Sequence, residues 1–295
     1  MIELTTDKPT LASYRGRRPA FSDLSTQQVK LEAQRILSRG LSDQAWLMLD
    51  LLATGGVMRA SQLGLADRTL RKYAHGRLID RLPCITRQLC QALSALGLPG
   101  DDESLYTLGP VGSEIAKQRH GHPPPGGYLG FTLRRTLHDL VCNEIVLRLS
   151  AFAEGLGWSV GWVNGQGAAL HKDGEAILEP GALLKLKKGG QGKCFLLEYH
   201  DEDKAMRARE KVRRYEAAFR SNIWPGQWET DAFPAVLAVF RNEIVGQGYL
   251  DAIREREQVR VTYYGKRLDG VLAKNLAEWR NVASGQREAI LGEGG

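Results

Sequence analysis

The stretch Lys193-Cys194-Phe195-Leu196-Leu197-Glu198-Tyr199-His200 restricts the fold more than any other part of the chain. Its apolar run ends on a glutamate, the pattern of a strand buried on both faces whose end reaches solvent. A buried carboxylate without a partner would be costly or forced neutral, so Glu198 requires a cation, a metal or hydrogen-bond donors beside it. The two-residue period of a strand places Glu198 and His200 on one face and Tyr199 on the other. A charged helix follows at once, from Asp203 to about Arg220. It carries Lys204, Arg207, Arg209, Lys211, Arg213, Arg214 and Arg220 against Glu210 and Glu216, and a Lys or Arg from it is the expected holder of Glu198.

At 295 residues with 43% hydrophobic content, the chain can bury a core in each of two domains. Forty Lys and Arg against 34 Asp and Glu leave a net charge of +6, which favours a polyanionic partner, double-stranded DNA first. The cysteines Cys84, Cys90, Cys142 and Cys194 form no CxxC pair, so reduced thiols and a cytoplasmic location are expected rather than structural zinc. No stretch approaches the roughly 18 apolar residues of a membrane helix, and the N-terminus lacks the apolar core of a signal peptide.

Residues 1–22, with Arg15, Arg17 and Arg18 among prolines and a glycine, read as an extended basic arm. Residues 23–118 read as a helical domain. Ser25 to Ser38 has a helical pattern and offers a homodimer contact. Ser42 caps the next helix, Met58 to Leu65 is a short one, and Asp67 to Ala74 another. Short helices joined by tight turns match a helix-turn-helix, with Arg68, Arg71 and Lys72 on the last of them facing the major groove. The apolar segments Leu78 to Pro83 and Leu105 to Gly112 add the strands of a wing, interrupted by an insertion from about Thr86 to Asp102. Arg77 and Arg81 are expected at its tip, near phosphate. Residues 119–130 (RHGHPPPGGYLG) are the linker candidate, where His120 and His122 have no carboxylate or cysteine partners in sequence.

Residues 131–282 change character. A helix from Thr132 to Gly155 precedes strands at Trp158 to Val163, Ala176 to Leu186 and Cys194 to His200. The charged helix, a strand from Pro234 to Phe240, a helix from Glu243 to Glu257 and a strand from Val259 to Tyr264 follow, giving an α/β sheet with a crossover. Residues 283–295 read as a disordered tail. The segment Trp224-Pro225-Gly226-Gln227-Trp228 suits core packing or an exposed stacking loop.

This order of elements resembles the PD-(D/E)XK nuclease fold. The chain from Leu41 to Trp279 is similar to the replication-relaxation family of plasmids and integrative elements, which joins a winged helix to a nuclease-like domain. The stretches carrying the resemblance are YTLGPVG (106–112), LHDLVCNE (137–144), ILEPGALL (177–184) and FLLEYHDE (195–202) with Lys211-Val212-Arg213-Arg214-Tyr215 downstream. The resemblance implies DNA association in plasmid maintenance or mobility, alongside other proteins of the element. Glu198 and Lys211 match the family's glutamate and lysine, whereas Pro180-Gly181 stands where the family has Pro-Asp. Hydrolysis of a phosphodiester by this fold needs Mg²⁺ or Mn²⁺ held by two or more carboxylates. With no side-chain ligand at Gly181, the expected reading is a DNA-binding protein without cleavage activity and without a cofactor. Two alternatives stand beside it: a metal-dependent endonuclease using Glu144, Glu179, Glu198 and Lys211, and a protein-interaction subunit of a DNA-processing complex. His200 is a poor ligand for Mg²⁺, which prefers oxygen.

Overall fold

The computed structural model describes residues 24–82, 87–99 and 104–292; the basic arm expected over 1–22 and part of the wing insertion lie outside them. The chain divides into two units, Met1–Leu140 and Val141–Gly295. No described helix is long and apolar enough to cross a membrane.

In the first unit, α1 (Thr26–Arg39) begins at Ser25, whose hydroxyl accepts from the Gln28 amide while the Gln28 side chain accepts from the Ser25 amide. This reciprocal pair satisfies donors that every helix start leaves open. Ser42 caps α2 (Asp43–Gly55) through the Ala45 amide, as its position predicts. The short helix expected over Met58 to Leu65 is instead a strand and a turn of helix, β1 (Met58–Arg59) and α3 (Ala60–Leu63). Then come α4 (Asp67–His75), β2 (Ile79–Leu82), α5 (Arg87–Ala95), β3 (Leu105–Leu108) and α6 (Pro110–His120). β3 lies between β1 and β2, antiparallel to both, with Met58 opposite Tyr106 and Ile79 opposite Leu108.

The strand expected to run on to Gly112 stops at Leu108 because Pro110 opens α6, where a missing N–H costs nothing. Gly112 lets α6 come down on the chain before β2: a Cβ there would lie 1.9 Å from the Leu78 carbonyl oxygen. Met48, Leu49, Leu52, Leu70, Ile79, Tyr106, Val111 and Ile115 are buried in this unit. The stretch expected as a free linker is partly packed, since Tyr128 is buried and its ring lies over Gly56. Its two histidines have separate partners, His120 against Asp50 at 3.2 Å and His122 against the Pro123 carbonyl at 3.4 Å.

The division between the units falls inside α7 (Leu133–Gly155). The second unit continues with β4 (Ser159–Asn164), α8 (Gly165–Ala168), the ribbon β5 (Leu170–Lys172) and β6 (Glu175–Leu178), and then β7 (Ala182–Lys188) and β8 (Gln191–His200). After α9 (Ala205–Ser221) and α10 (Trp224–Trp228) come β9 (Ala235–Phe240), α11 (Glu243–Arg254), β10 (Tyr263–Arg267), α12 (Leu268–Leu272), β11 (Glu278–Asn281) and β12 (Arg287–Ala289). Seven strands form one mixed sheet in the order β12-β11-β10-β9-β8-β7-β4. β8, β9 and β10 run parallel, joined by the crossover helices α9 and α11, and the outer pairs are antiparallel.

Three expectations are corrected here. The strand from Ala176 to Leu186 is two strands in different sheets, β6 and β7, separated at Pro180-Gly181; proline has no amide to give a ladder. The strand placed at Val259 to Tyr264 starts only at Tyr263. The tail read as disordered from 283 contains β12, which pairs with β11 at the sheet edge; residues 293–295 lie outside the described ones. The tryptophans of α10 are core: Trp228 is buried, donates to the Ala168 carbonyl at 2.9 Å and meets Phe233 edge-on.

Candidate functional site

Alternation along β8 places Glu198 and His200 toward α9 and α11, on the face where Leu196, Val236 and Ala238 pack with Val212, Tyr215, Val245 and Tyr249. Glu198 is 2% exposed, and each of its oxygens has a donor. Lys211 Nζ lies 2.7 Å from Oε1, and the Tyr215 hydroxyl donates to Oε2 at 2.8 Å. Lys211 and Tyr215 are four apart on α9, so they stand one above the other on the same helix face. Burial alone would raise the Glu198 carboxyl, but Lys211 foremost, then His200 and the hydrogen bonds from Lys211 and Tyr215, outweigh it and hold the carboxyl below its ordinary value. The Tyr215 phenol moves the other way, pushed well up by burial and by Glu198, so it remains a neutral donor. His200, also buried, has Nε2 2.8 Å from the Tyr249 hydroxyl and Nδ1 3.4 Å from Glu202. The cation expected from the following helix is therefore Lys211.

This arrangement does not suit a divalent ion. Gly181 lies just before β7, its amide bonded to the Leu197 carbonyl at 2.7 Å. A Cβ there would meet Cys142 Sγ at 2.7 Å. Cys142 belongs to α7 and influences Tyr199, which alternation puts on the face opposite Glu198. The space a side chain at 181 would need is thus already filled. Glu179 lies between β6 and β7 rather than on a strand shared with position 181. Glu144 accepts from Arg148 Nε at 2.9 Å, and Arg148 also donates to the Leu272 carbonyl. Among the described residues, no three His, Cys, Asp or Glu side chains group as a metal site would need. Lys211, named with these glutamates in the endonuclease alternative, is bound to Glu198.

In the first unit, α4 buries Leu70 and exposes Arg68, Arg71 and Lys72. His75 is exposed as well and extends the stripe at helical spacing from Arg68. Arg71 is paired to Asp67 at 2.6 Å, whereas Arg68 and Lys72 make no ion pair or side-chain hydrogen bond among the described residues. Asp67 also accepts from the buried Tyr106 hydroxyl, which ties the start of α4 to β3. Arg77 and Arg81 are not at a hairpin tip. Arg77 occupies the turn after α4 with φ 59, and Arg81 lies half-buried on β2 with Nε donating to Ser104 at 2.9 Å.

Sequence reasoning gave Glu216 no role. It is 1% exposed and accepts the backbone amides of Arg260 and Val261 at 3.2 and 3.1 Å, fixing the chain that enters β10. The signal available was its position one turn beyond Val212 on the apolar side of α9. No family model matches the chain, and neither a curated protein nor a solved structure matches it.

Proposed function

We propose that this is a DNA-binding protein of the replication-relaxation kind, serving a plasmid or mobile element, in which the first unit acts as a winged helix on duplex DNA. The second unit has the layout of a PD-(D/E)XK domain and does not cut. The observation that carries the reading is the exposed stripe of α4, where Arg68 and Lys72 make no ion pair among the described residues. The succession of α2, β1, α3, α4, β2, β3 around a small antiparallel sheet supports a helix-turn-helix with a wing. A helix, an antiparallel hairpin, a crossover helix and a parallel strand support the nuclease-like layout. The closed Glu198 centre supports the reading without cleavage, since its carboxylate is already engaged by Lys211 and Tyr215.

Electrophoretic mobility shift of duplex DNA at two salt concentrations tests the reading. Binding should weaken with salt, and Arg68→Gln with Lys72→Gln should flatten the dependence of log K on log salt by about 0.9 for each phosphate that is no longer neutralised. No shift even at low salt would remove the DNA role. Plasmid nicking in Mn²⁺ that Glu198→Ala abolishes would restore the nuclease alternative.

A further inference from the structure

The register of the large sheet places Glu198, Ala238, Gly265, Arg280 and Arg287 opposite one another in a single row across β8, β9, β10, β11 and β12. Residues directly opposite in a sheet share a face, so Arg280 and Arg287 stand side by side on the face that α11 covers further in. Between α11 and this outer part of the sheet lies a cleft of about 610 Å³. Both arginines line it and are exposed, and neither has an ion pair or side-chain hydrogen bond among the described residues. Like charges placed opposite each other on adjacent strands repel, so the pair is unfavourable as it stands.

Three acids line the cleft, Glu243, Asp269 and Glu278, and none makes an ion pair with Arg280 or Arg287 among the described residues. Glu243 and Asp269 are both held by Arg267, at 3.8 and 2.8 Å, and Asp269 also accepts from the Gly270 amide. Lys266 donates to the Glu278 carbonyl and lies over the Trp279 ring, so it is already engaged. Phe240, Leu250 and Val282 supply an apolar wall. Gly265, between Ala238 and Arg280 in the row, has Phe240 and Val282 over it, a Cβ there lying 3.3 Å from the Phe240 ring, so the apolar wall reaches the row that carries the arginines.

We infer that this cleft binds a phosphorylated ligand of nucleotide size, its phosphate bridging the forks of Arg280 and Arg287 and its body lying against Phe240, Leu250 and Val282. A phosphate offers several acceptor oxygens to two planar donors at once, which a single carboxylate does less well, and the volume lies within the range of small-molecule sites. The phosphate belongs either to a free nucleotide or to the phosphorylated end of a nucleic-acid strand. This site is independent of the α4 stripe and of the DNA reading built on it.

Calorimetric titration of the full chain with AMP, adenosine, inorganic phosphate, and a thymidine dinucleotide with and without a 5′-phosphate tests the assignment. AMP should bind and adenosine should not, and Arg280→Gln with Arg287→Gln should weaken AMP by at least about tenfold. Both side chains are exposed and bonded to nothing described, so the double variant should keep the wild-type circular dichroism and Tm. Arg→Lys at both positions should give an intermediate loss, because charge remains without the fork. Tighter binding of the 5′-phosphorylated dinucleotide than of AMP identifies a strand end; parity identifies a free nucleotide. Equal binding of adenosine and AMP, unchanged affinity in the double variant, or no binding by any phosphorylated probe overturns the site. A chain with Arg68→Gln and Lys72→Gln should still bind AMP, so failure of the DNA reading and failure of this one are read separately.

Discussion

Glu198 and the Arg280–Arg287 pair stand on one row of one sheet, and the fold treats their charges in opposite ways. At the Glu198 end, α9 supplies an ammonium and a phenol, one to each carboxylate oxygen, and seals the group from water. Three strands away, about 14 Å by ordinary strand spacing, two guanidinium groups share a cleft and make no ion pair among the described residues. Charges that a fold has already compensated stabilise it or orient neighbours, whereas charges left open remain available to a ligand. By that criterion the residue best marked by the sequence belongs to the architecture of the sheet, and a pair the sequence did not mark is free for binding.

The sharpest way to break this contrast is to open the sealed end. Lys211→Met leaves a buried carboxylate without its cation and should destabilise the chain by about 3 kcal/mol in urea unfolding, the low end for such losses because Lys211 is partly exposed. Adding Glu198→Leu should recover most of it, since the charge that needed pairing is gone. If Lys211→Met costs nothing, Glu198 is not sealed by this pair and is again a candidate for chemistry. The same centre sets a pH signature. Folding holds the Glu198 carboxyl below its ordinary 4.5, so its contribution is complete above that pH and is lost as pH falls through the lower folded value. The double variant should therefore lose less stability than the wild type on acidification below pH 4.5.

A second test asks whether an aspartate at position 181 creates a metal site. Gly181→Asp should cost about 2 kcal/mol by overpacking against Cys142 and should confer no Mn²⁺ affinity in calorimetry, because Glu198 is already engaged by Lys211 and Tyr215. Cys142→Ala in the same chain should return part of the stability. Tight Mn²⁺ binding by Gly181→Asp would show that the two positions do converge. Glu216→Gln comes next in size: replacing the charged acceptor of the Arg260 and Val261 amides should cost about 1.5 kcal/mol by the same unfolding assay. An unchanged midpoint would mean that those amides are satisfied without the charge.

Residues whose local pattern and tertiary setting agree were legible in the sequence. β8 announced itself as an apolar run, α9 as a helix with one apolar side, and the need of Glu198 for a cation from α9 follows from the cost of burying charge. Elements set by distant partners were not. β10 starts late because Glu216 has taken the amides of Arg260 and Val261, which removes them from the ladder. The strand expected to reach Gly112 ended early because Pro110 begins a helix, a signal hidden inside an apolar stretch. β11 and β12 are short and polar, with little in Glu278 to Asn281 or Arg287 to Ala289 to mark a strand before its neighbour is known. The cleft they floor was therefore invisible until the register put Arg280 opposite Arg287.

The smallest expected effect bears on the open end of the row. Arg287→Gln removes one member of a like-charged cross-strand pair and, with no ligand present, should raise stability by roughly 0.3 kcal/mol, within the range for exposed sheet pairs. The gain should shrink at high salt, which screens exposed charges. Saturating AMP should reverse its sign, since the wild type then gains ligand free energy that the variant loses. A variant that is less stable than the wild type in the absence of any anion would mean that Arg287 is already compensated within the fold, and the two ends of the row would then be alike.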